Sequence, residues 1–206
     1  MSNAKPRKRE ITRKKVIKAA INSIYREGFH AAHTNRIAQE ADVSWGVLQY
    51  HFGDKDGLLQ AVIDHIFEEF LDTLASVELD GADLHQRLAQ FIDAVWDLIS
   101  RKEYRVSIAI LRNAGKDKSS SINGQKQVRQ WAARISELWD DLLPEDIRAS
   151  AMNETARHLL FATLRGLADD INPRARLTKK SWEAERAALG NAIAYLLQGE
   201  GQPAAF

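Results

Sequence analysis

A short segment around residue 50 carries side chains suited to recognition rather than to catalysis. The amide of Gln49 can form two hydrogen bonds with an adenine edge, and Val47 can contact a thymine methyl group. Tyr50 and His51 have the reach to contact phosphates, and Lys55 stands at the expected start of the next helix, where a phosphate is also favoured. These residue types at this spacing predict an interface for double-stranded DNA.

Two short helices joined by a tight turn must position these side chains. Thr34 is the expected N-cap of the first helix, which ends near residue 41, and Ser44 is the expected N-cap of the second, over residues 45–52. Asp42 lies in the turn and is among the few residues other than glycine that tolerate a left-handed conformation. Leu48 and Phe52, four residues apart, are predicted to pack inward.

In such a motif the N-terminal residues of the second helix meet the base edges. The predicted DNA-binding residues are Thr34, Arg36, Ser44, Trp45, Gly46, Val47, Gln49, Tyr50, His51 and Lys55. The alternative is a plain three-helix core in which Trp45 and Tyr50 pack and His51 is structural.

Charge separates the first part of the chain from the rest. Residues 1–57 hold 11 Lys and Arg against 6 Asp and Glu, whereas residues 58–206 hold 18 against 22. This asymmetry predicts a polyanion partner for the first part only. The run Lys5-Pro6-Arg7-Lys8-Arg9, continued by Arg13, Lys14, Lys15 and Lys18, can act as an arm on phosphates or in a minor groove, or it can be a disordered, solubilising tail.

Helical periodicity dominates the whole chain of 206 residues and predicts an all-α fold. There is no cysteine, which excludes disulfides and thiolate chemistry, and no apolar run approaches the ~18 residues of a membrane span. We expect nine helices and no convincing strand. Their approximate ranges are 17–28, 34–41, 45–52, 55–77, 84–99, 104–114, 128–142, 145–171 and 179–198, with a loop over 115–124.

Residues 10–60 resemble the tetracycline-repressor (TetR) family of bacterial regulators. The residues that carry the resemblance are Thr34, Ile37-Ala38, Ala41, Val43-Ser44, Gly46, Leu48, His51-Phe52, Lys55 and Leu58-Leu59, together with a first helix containing Ala19-Ala20 and ending at Gly28-Phe29. Two positions depart from the family. Asp42 stands where glycine is usual, and Gln49 stands where a phosphate-binding tyrosine is usual, so Gln49 can read a base instead.

The resemblance implies a helix-turn-helix domain over residues 1–57, with a basic arm at about 1–10, and a helical body over 58–206 that binds a small-molecule effector and forms a homodimer. The implied effector-binding residues are Trp96, Ile108, Arg112, Trp131, Trp139, Phe161 and Arg165. The tryptophans can box an aromatic or cationic ligand, or the arginines can hold a carboxylate. No cofactor and no metal are expected.

Dimerisation is expected through the last two helices, where small and apolar residues recur at helical spacing. The predicted interface residues are Leu159, Ala162, Thr163, Gly166, Leu167, Leu189, Ile193 and Leu196. Packing within one subunit is the alternative for the same stripe. A two-fold protein matches a two-fold operator, which favours the dimer.

The resemblance therefore implies a cytoplasmic, nucleoid-associated bacterial regulator, and it favours a repressor released from its operator by an effector over an activator. Two other readings have less support. A structural DNA-binding protein without an effector would have a solid body around the three tryptophans. An enzyme would need a phosphate loop, a metal-ligand set or a nucleophile–base pair, and none is visible beyond His30-x-x-His33, which is expected to be solvated.

Overall fold

The computed structural model describes residues 4–81, 83–114, 122, 124–169 and 182–199, and these residues form helices and turns without a strand. The helices are α1 (Ala4–Glu27), α2 (Thr34–Glu40), α3 (Trp45–Phe52), α4 (Lys55–Ala75), α5 (Leu84–Ile99), α6 (Lys102–Ala114), α7 (Gln125–Leu142), α8 (Glu145–Arg148), α9 (Asn153–Asp169) and α10 (Glu183–Gln198). The all-α prediction is confirmed. None of these helices is both long and apolar enough to cross a membrane.

The described residues divide into two compact units. The first contains those of residues 1–70 and 102–130, and the second contains those of residues 71–101 and 131–206. This division follows packing, whereas the predicted boundary between residues 57 and 58 separates two functions and stays a prediction.

The first unit is built on α1, which packs against both α2 and α6. Its core includes Ile17, Ile21 and Ile24, all of which are almost completely buried. Gly28 ends the stripe with φ +88°, and its amide donates to the carbonyl of Ile24, as the sequence predicts. Lys102 at the start of α6 donates to the side-chain oxygen of Asn22 at 2.8 Å, which helps fix α6 on α1.

The second unit buries the apolar stripe of α5 against α9 and α10. Phe91 lies at its centre and meets the rings of Trp139 and Phe161 edge to face, with centroids 5.8 and 6.1 Å apart. Trp139 is fully buried and donates its indole N–H to Asn153 at 2.6 Å. The aromatic side chains of this unit therefore form much of its core.

One predicted helix is wrong. The pattern over residues 145–171 is interrupted, because α8 ends at Arg148 and α9 begins at Asn153. The side-chain amide of Asn153 donates to the backbone carbonyl of Arg148, and the backbone N–H of Met152 donates to the Ser150 hydroxyl. Side chains therefore satisfy backbone groups at the break. The predicted loop over residues 115–124 and the predicted start of the last helix near residue 179 lie largely outside the described residues.

Candidate nucleic-acid interface

The second of the two short helices lies on the surface with one face anchored below. Leu48 is fully buried and Phe52 is nearly so, which confirms the predicted inward pair. The opposite face is exposed and consists of Trp45, Gly46, Val47, Gln49 and Tyr50. A rigid helix with an exposed face of mixed hydrogen-bonding and apolar groups has the form needed to enter a DNA groove.

The turn before α3 follows the sequence prediction in two respects. Asp42 has φ 50°, the left-handed conformation expected for it, and its side chain accepts from Lys15 Nζ at 3.3 Å. Ser44 caps α3, because its hydroxyl accepts from the backbone N–H of Val47 at 3.3 Å. These contacts fix the angle at which α3 leaves the turn.

The predicted cap of α2 is wrong. His33 occupies the N-cap position without a side-chain capping hydrogen bond, and Thr34 is the first helical residue. Charge pairs across the α1–α2 junction instead hold α2 in place. Arg36 contacts Glu27 at 2.8 Å and Glu40 at 3.5 Å, so its guanidinium is already engaged within the protein.

The turn after α3 holds α4 close beneath the exposed helix. Gly53 has φ +78°, and the Asp54 carboxylate accepts from the backbone N–H of Gly57 at 2.8 Å. A Cβ at Gly57 would lie 2.0 Å from the carbonyl oxygen of Phe52, so only glycine allows this approach. Lys55 is exposed, with its amine 5.2 Å from the centre of the Phe29 ring.

Cations of α1 border the C-terminal end of α3. The guanidinium carbon of Arg9 lies 5.7 Å from the Tyr50 ring centre, and that of Arg13 lies 5.1 Å from the Phe52 ring centre. Burial lowers the pKa of His51, and Arg9 and Arg13 lower it further. Both effects disfavour the imidazolium ion. The basic run treated in the sequence as an arm or tail is the first part of α1, which begins at Ala4.

The predicted effector-binding residues fall in both units. Ile108 and Arg112 belong to the first unit, and Trp96, Trp131, Trp139, Phe161 and Arg165 belong to the second. Arg165 donates to the carbonyl of Phe161 on its own helix. Trp139 serves the core, and Trp96, although only 1% exposed, borders a cavity of about 620 Å³.

This cavity lies within the second unit, mainly between α5 and α10. The residues around it are Thr73, His85, Ala89, Ile92, Asp93, Ala94, Trp96, Asp97, Glu183, Arg186, Ala187, Gly190 and Asn191. Arg186 is buried, and it contacts Asp93 at 3.1 Å and covers the Trp96 ring at 5.1 Å. Sequence reasoning missed this pair, because no spacing rule connects two charged residues 93 positions apart.

The predicted dimer residues also differ in exposure. Leu159, Ala162, Thr163 and Gly166 form an exposed face of α9. Leu167, Leu189 and Leu196 are partly buried, and Ile193 is 1% exposed. Ile193 therefore belongs to the core of one protomer and offers almost no surface to a partner.

Comparisons with known proteins show which family the helix-turn-helix region is similar to. The family model described as "Bacterial regulatory proteins, tetR family" matches residues 16–62, which contain α2, α3 and the turn between them. Over these residues the chain is similar to members of this family.

Curated relatives also match part of the chain. The transcriptional repressor NicS of Pseudomonas putida is 31% identical over 102 residues, which are 50% of this chain and 48% of NicS. The transcriptional regulator BetI of Vibrio campbellii is 35% identical over 86 residues, 41% of this chain and 43% of BetI. The chain thus matches about half the length of these relatives, all of which are named as regulators rather than enzymes.

Solved structures extend the likeness of fold over most of the chain. A transcriptional regulator from a Rhodococcus species has a TM-score of 0.64 at 23% identity, with 93% of this chain and 99% of that chain covered. The TetR-family regulator PfmR of Thermus thermophilus has a TM-score of 0.62 at 16% identity, with 93% and 98% covered. These neighbours establish the helical fold of the body.

Proposed function

We propose that this chain is a ligand-responsive transcriptional regulator, a repressor that binds a palindromic operator in double-stranded DNA as a homodimer. The proposal rests on the exposure pattern of α3. Five of its eight residues are exposed, while Leu48 and Phe52 are buried and attach the helix to the core. The match of residues 16–62 to a family model of bacterial regulatory proteins and the repressor name of one relative support it.

Gly46 supports close approach of α3 to DNA. Glycine inside a helix costs about 0.5–1 kcal/mol relative to alanine, and here the chain itself gives no reason for it. A Cβ at this position would meet nothing nearer than the Ser44 hydroxyl at 3.9 Å. A missing side chain on the exposed face suits a helix whose backbone comes close to a ligand.

Individual roles follow from side-chain chemistry. Gln49 is assigned to an adenine edge and Val47 to a thymine methyl group. Tyr50 and Lys55 are assigned to backbone phosphates. Thr34, Ser44, Trp45 and His51 are assigned to the border of the interface, and Arg36 keeps only a supporting role because Glu27 and Glu40 hold it.

Dimerisation is assigned to the exposed face of α9 together with α10. A Cβ at Gly166 would meet nothing within 4 Å in the protomer, so this glycine leaves space on the outer side of α9. Leu159 is 47% exposed on the same face. A stripe with small residues and an exposed leucine fits a helix from a second copy better than it fits solvent.

Effector binding is assigned to the cavity between α5 and α10. Its volume of about 620 Å³ lies within the range of about 300–1,000 Å³ typical of small-molecule sites. Asp93, Arg186 and Trp96 give it charge and aromatic surface. An effector releases DNA only if it binds one conformation of the dimer more tightly than the other. We assign this difference in affinity to contacts within the cavity.

Selection from a randomised pool of DNA duplexes tests the function. The purified protein should enrich sequences with two related half-sites, and it should bind the enriched duplex at least tenfold more tightly than a scrambled duplex at the same salt concentration. Equal affinity for both duplexes would contradict a sequence-reading regulator.

A screen of small molecules tests the receptor part. A ligand that raises the melting temperature should also weaken binding to the enriched duplex. Ala187→Trp, which fills the cavity, should abolish both effects, whereas Ala184→Trp, at an exposed residue of α10 that does not line the cavity, should retain them. A ligand that acts equally on both variants would place the effector elsewhere.

A further inference from the structure

Two arginines of α1 lie against two aromatic rings at the end of α3. Arg9 and Arg13 are four residues apart and therefore share one face of α1. Their guanidinium carbons lie 5.7 and 5.1 Å from the ring centres of Tyr50 and Phe52. Cations within about 6 Å of a ring are attracted to its face, and the C-terminal end of a helix also favours positive charge. Both guanidiniums are thus held beside α3 rather than free in solvent.

Neither guanidinium is neutralised by the part of the protein that the structure describes. Arg9 and Arg13 have no carboxylate partner among those residues, whereas four other cations of this region have one: Lys14 with Glu10, Lys15 with Asp42, Arg26 with Glu27 and Glu40, and Arg36 with Glu27 and Glu40. Positive charge is therefore left uncompensated beside the exposed face of α3.

The neighbouring side chains respond to this charge and add a hydrogen-bond donor. His51 lies under the influence of both arginines, which lower its pKa in addition to the effect of burial. Tyr50 is 72% exposed, and its ring meets the His51 ring edge to face at 5.4 Å. The Tyr50 ring is thereby held between Arg9 and His51, with its hydroxyl accessible.

We propose that Arg9, Arg13 and the Tyr50 hydroxyl form a binding site for backbone phosphates of double-stranded DNA, next to the base pairs that α3 reads. The inference rests on the proposed function and adds a second helix, α1, to the interface. Arginine is suited to phosphate because its planar, permanently charged fork can donate two parallel hydrogen bonds. Because phosphates are the same in every sequence, this site fixes the position of α3 and contributes nothing to base preference.

Salt dependence of binding to random-sequence duplex DNA tests the site without knowledge of the operator. The dissociation constant is measured against salt concentration for the wild type, Arg9→Ala, Arg13→Ala and Lys18→Ala. Lys18 is the matched control, because it is exposed and lies about half a turn around α1 from Arg9. Circular dichroism confirms that each variant is helical.

Each arginine variant should lower the slope of log K against log salt by about 0.9, the value for one lost phosphate contact. Its affinity should fall several-fold on all sequences alike. Lys18→Ala should keep the slope of the wild type. Tyr50→Phe retains the ring under Arg9 and should weaken binding with an unchanged slope, because only a neutral donor is lost.

Wild-type slopes in both arginine variants would overturn the site, as would an equal loss in Lys18→Ala. Failure of the wild type to bind any duplex would instead overturn the proposed function, so the two failures are distinguishable.

Discussion

Lys15 on α1 and Asp42 in the turn before α3 are joined by a 3.3 Å contact between the amine and a carboxylate oxygen. Asp42 adopts φ 50°, a conformation that L-residues rarely take. Because both side chains are largely exposed, the ion pair adds little stability. The ion pair instead has a geometric consequence, because it connects the turn before α3 with α1, the helix that contains Arg9 and Arg13.

Substitution of Asp42 should reveal the backbone requirement of this turn. Asp42→Gly removes the strain and the exposed ion pair together, so the free energy of unfolding should change by less than about 1 kcal/mol. Asp42→Val forces a β-branched residue into the left-handed region and should destabilise by about 1–3 kcal/mol. Urea unfolding measures both, and equal values would show that φ at this position is unconstrained.

Two glycines of the same region should respond in opposite directions to alanine. Gly57→Ala places a Cβ 2.0 Å from the carbonyl oxygen of Phe52 and should destabilise by about 1–3 kcal/mol. Gly46→Ala has open space and should stabilise by about 0.5–1 kcal/mol while weakening DNA binding. Denaturant titration and DNA titration together check the pair. A Gly46→Ala protein with unchanged DNA affinity would remove the argument for close approach.

Stability should depend on pH through His51. Its pKa in the folded protein lies below the ordinary value of 6.5, because burial and then Arg9 and Arg13 disfavour the imidazolium ion. The unfolded chain therefore binds the proton more readily. The contribution of neutral His51 is complete above pH 6.5 and declines as the pH falls through that value.

Replacement by glutamine isolates this contribution. The free energy of unfolding of the wild type should fall more steeply between pH 7 and about pH 5 than that of His51→Gln. Parallel curves for the two proteins would contradict the assigned shift in pKa.

The oligomeric state should depend on the outer face of α9. Gly166→Arg introduces a long charged side chain where a partner helix is expected, so sedimentation should show a monomer in place of a dimer. Ala133→Arg on the exposed side of α7 is the control and should leave the dimer intact. Dimers of equal strength in both variants would place the interface elsewhere.

Residue type was sufficient to predict several local features of the helix-turn-helix region. Ser44, Asp42 and Gly28 each perform in the structure the role that residue type alone predicts. The break between α8 and α9 was not readable, because Asn153 is held by Trp139 and by the carbonyl of Arg148, and these contacts exist only after folding. Helix propensity across the break contains no signal of a tertiary contact.

The body of the protein was less predictable for a related reason. A tryptophan in an apolar stripe has the same sequence signature whether it fills the core, as Trp139 does, or borders a cavity, as Trp96 does. The charge pair of Asp93 and Arg186 also depends on how α5 meets α10. In the helix-turn-helix region, by contrast, local residue type and spacing were sufficient to predict the turn at Asp42, the cap at Ser44 and the buried pair of Leu48 and Phe52.

The base preference of Gln49→Ala tests directly whether α3 reads DNA bases. The duplex pool is selected in parallel with the wild type, Gln49→Ala and the control Gln130→Ala, an exposed glutamine on α7. Gln49→Ala should relax the preference for adenine at one position of each half-site, at a cost of about 1–3 kcal/mol, while Gln130→Ala should yield the wild-type motif. Equal weakening of binding to every sequence would show that α3 does not read bases through Gln49, which contradicts the proposed reading of adenine.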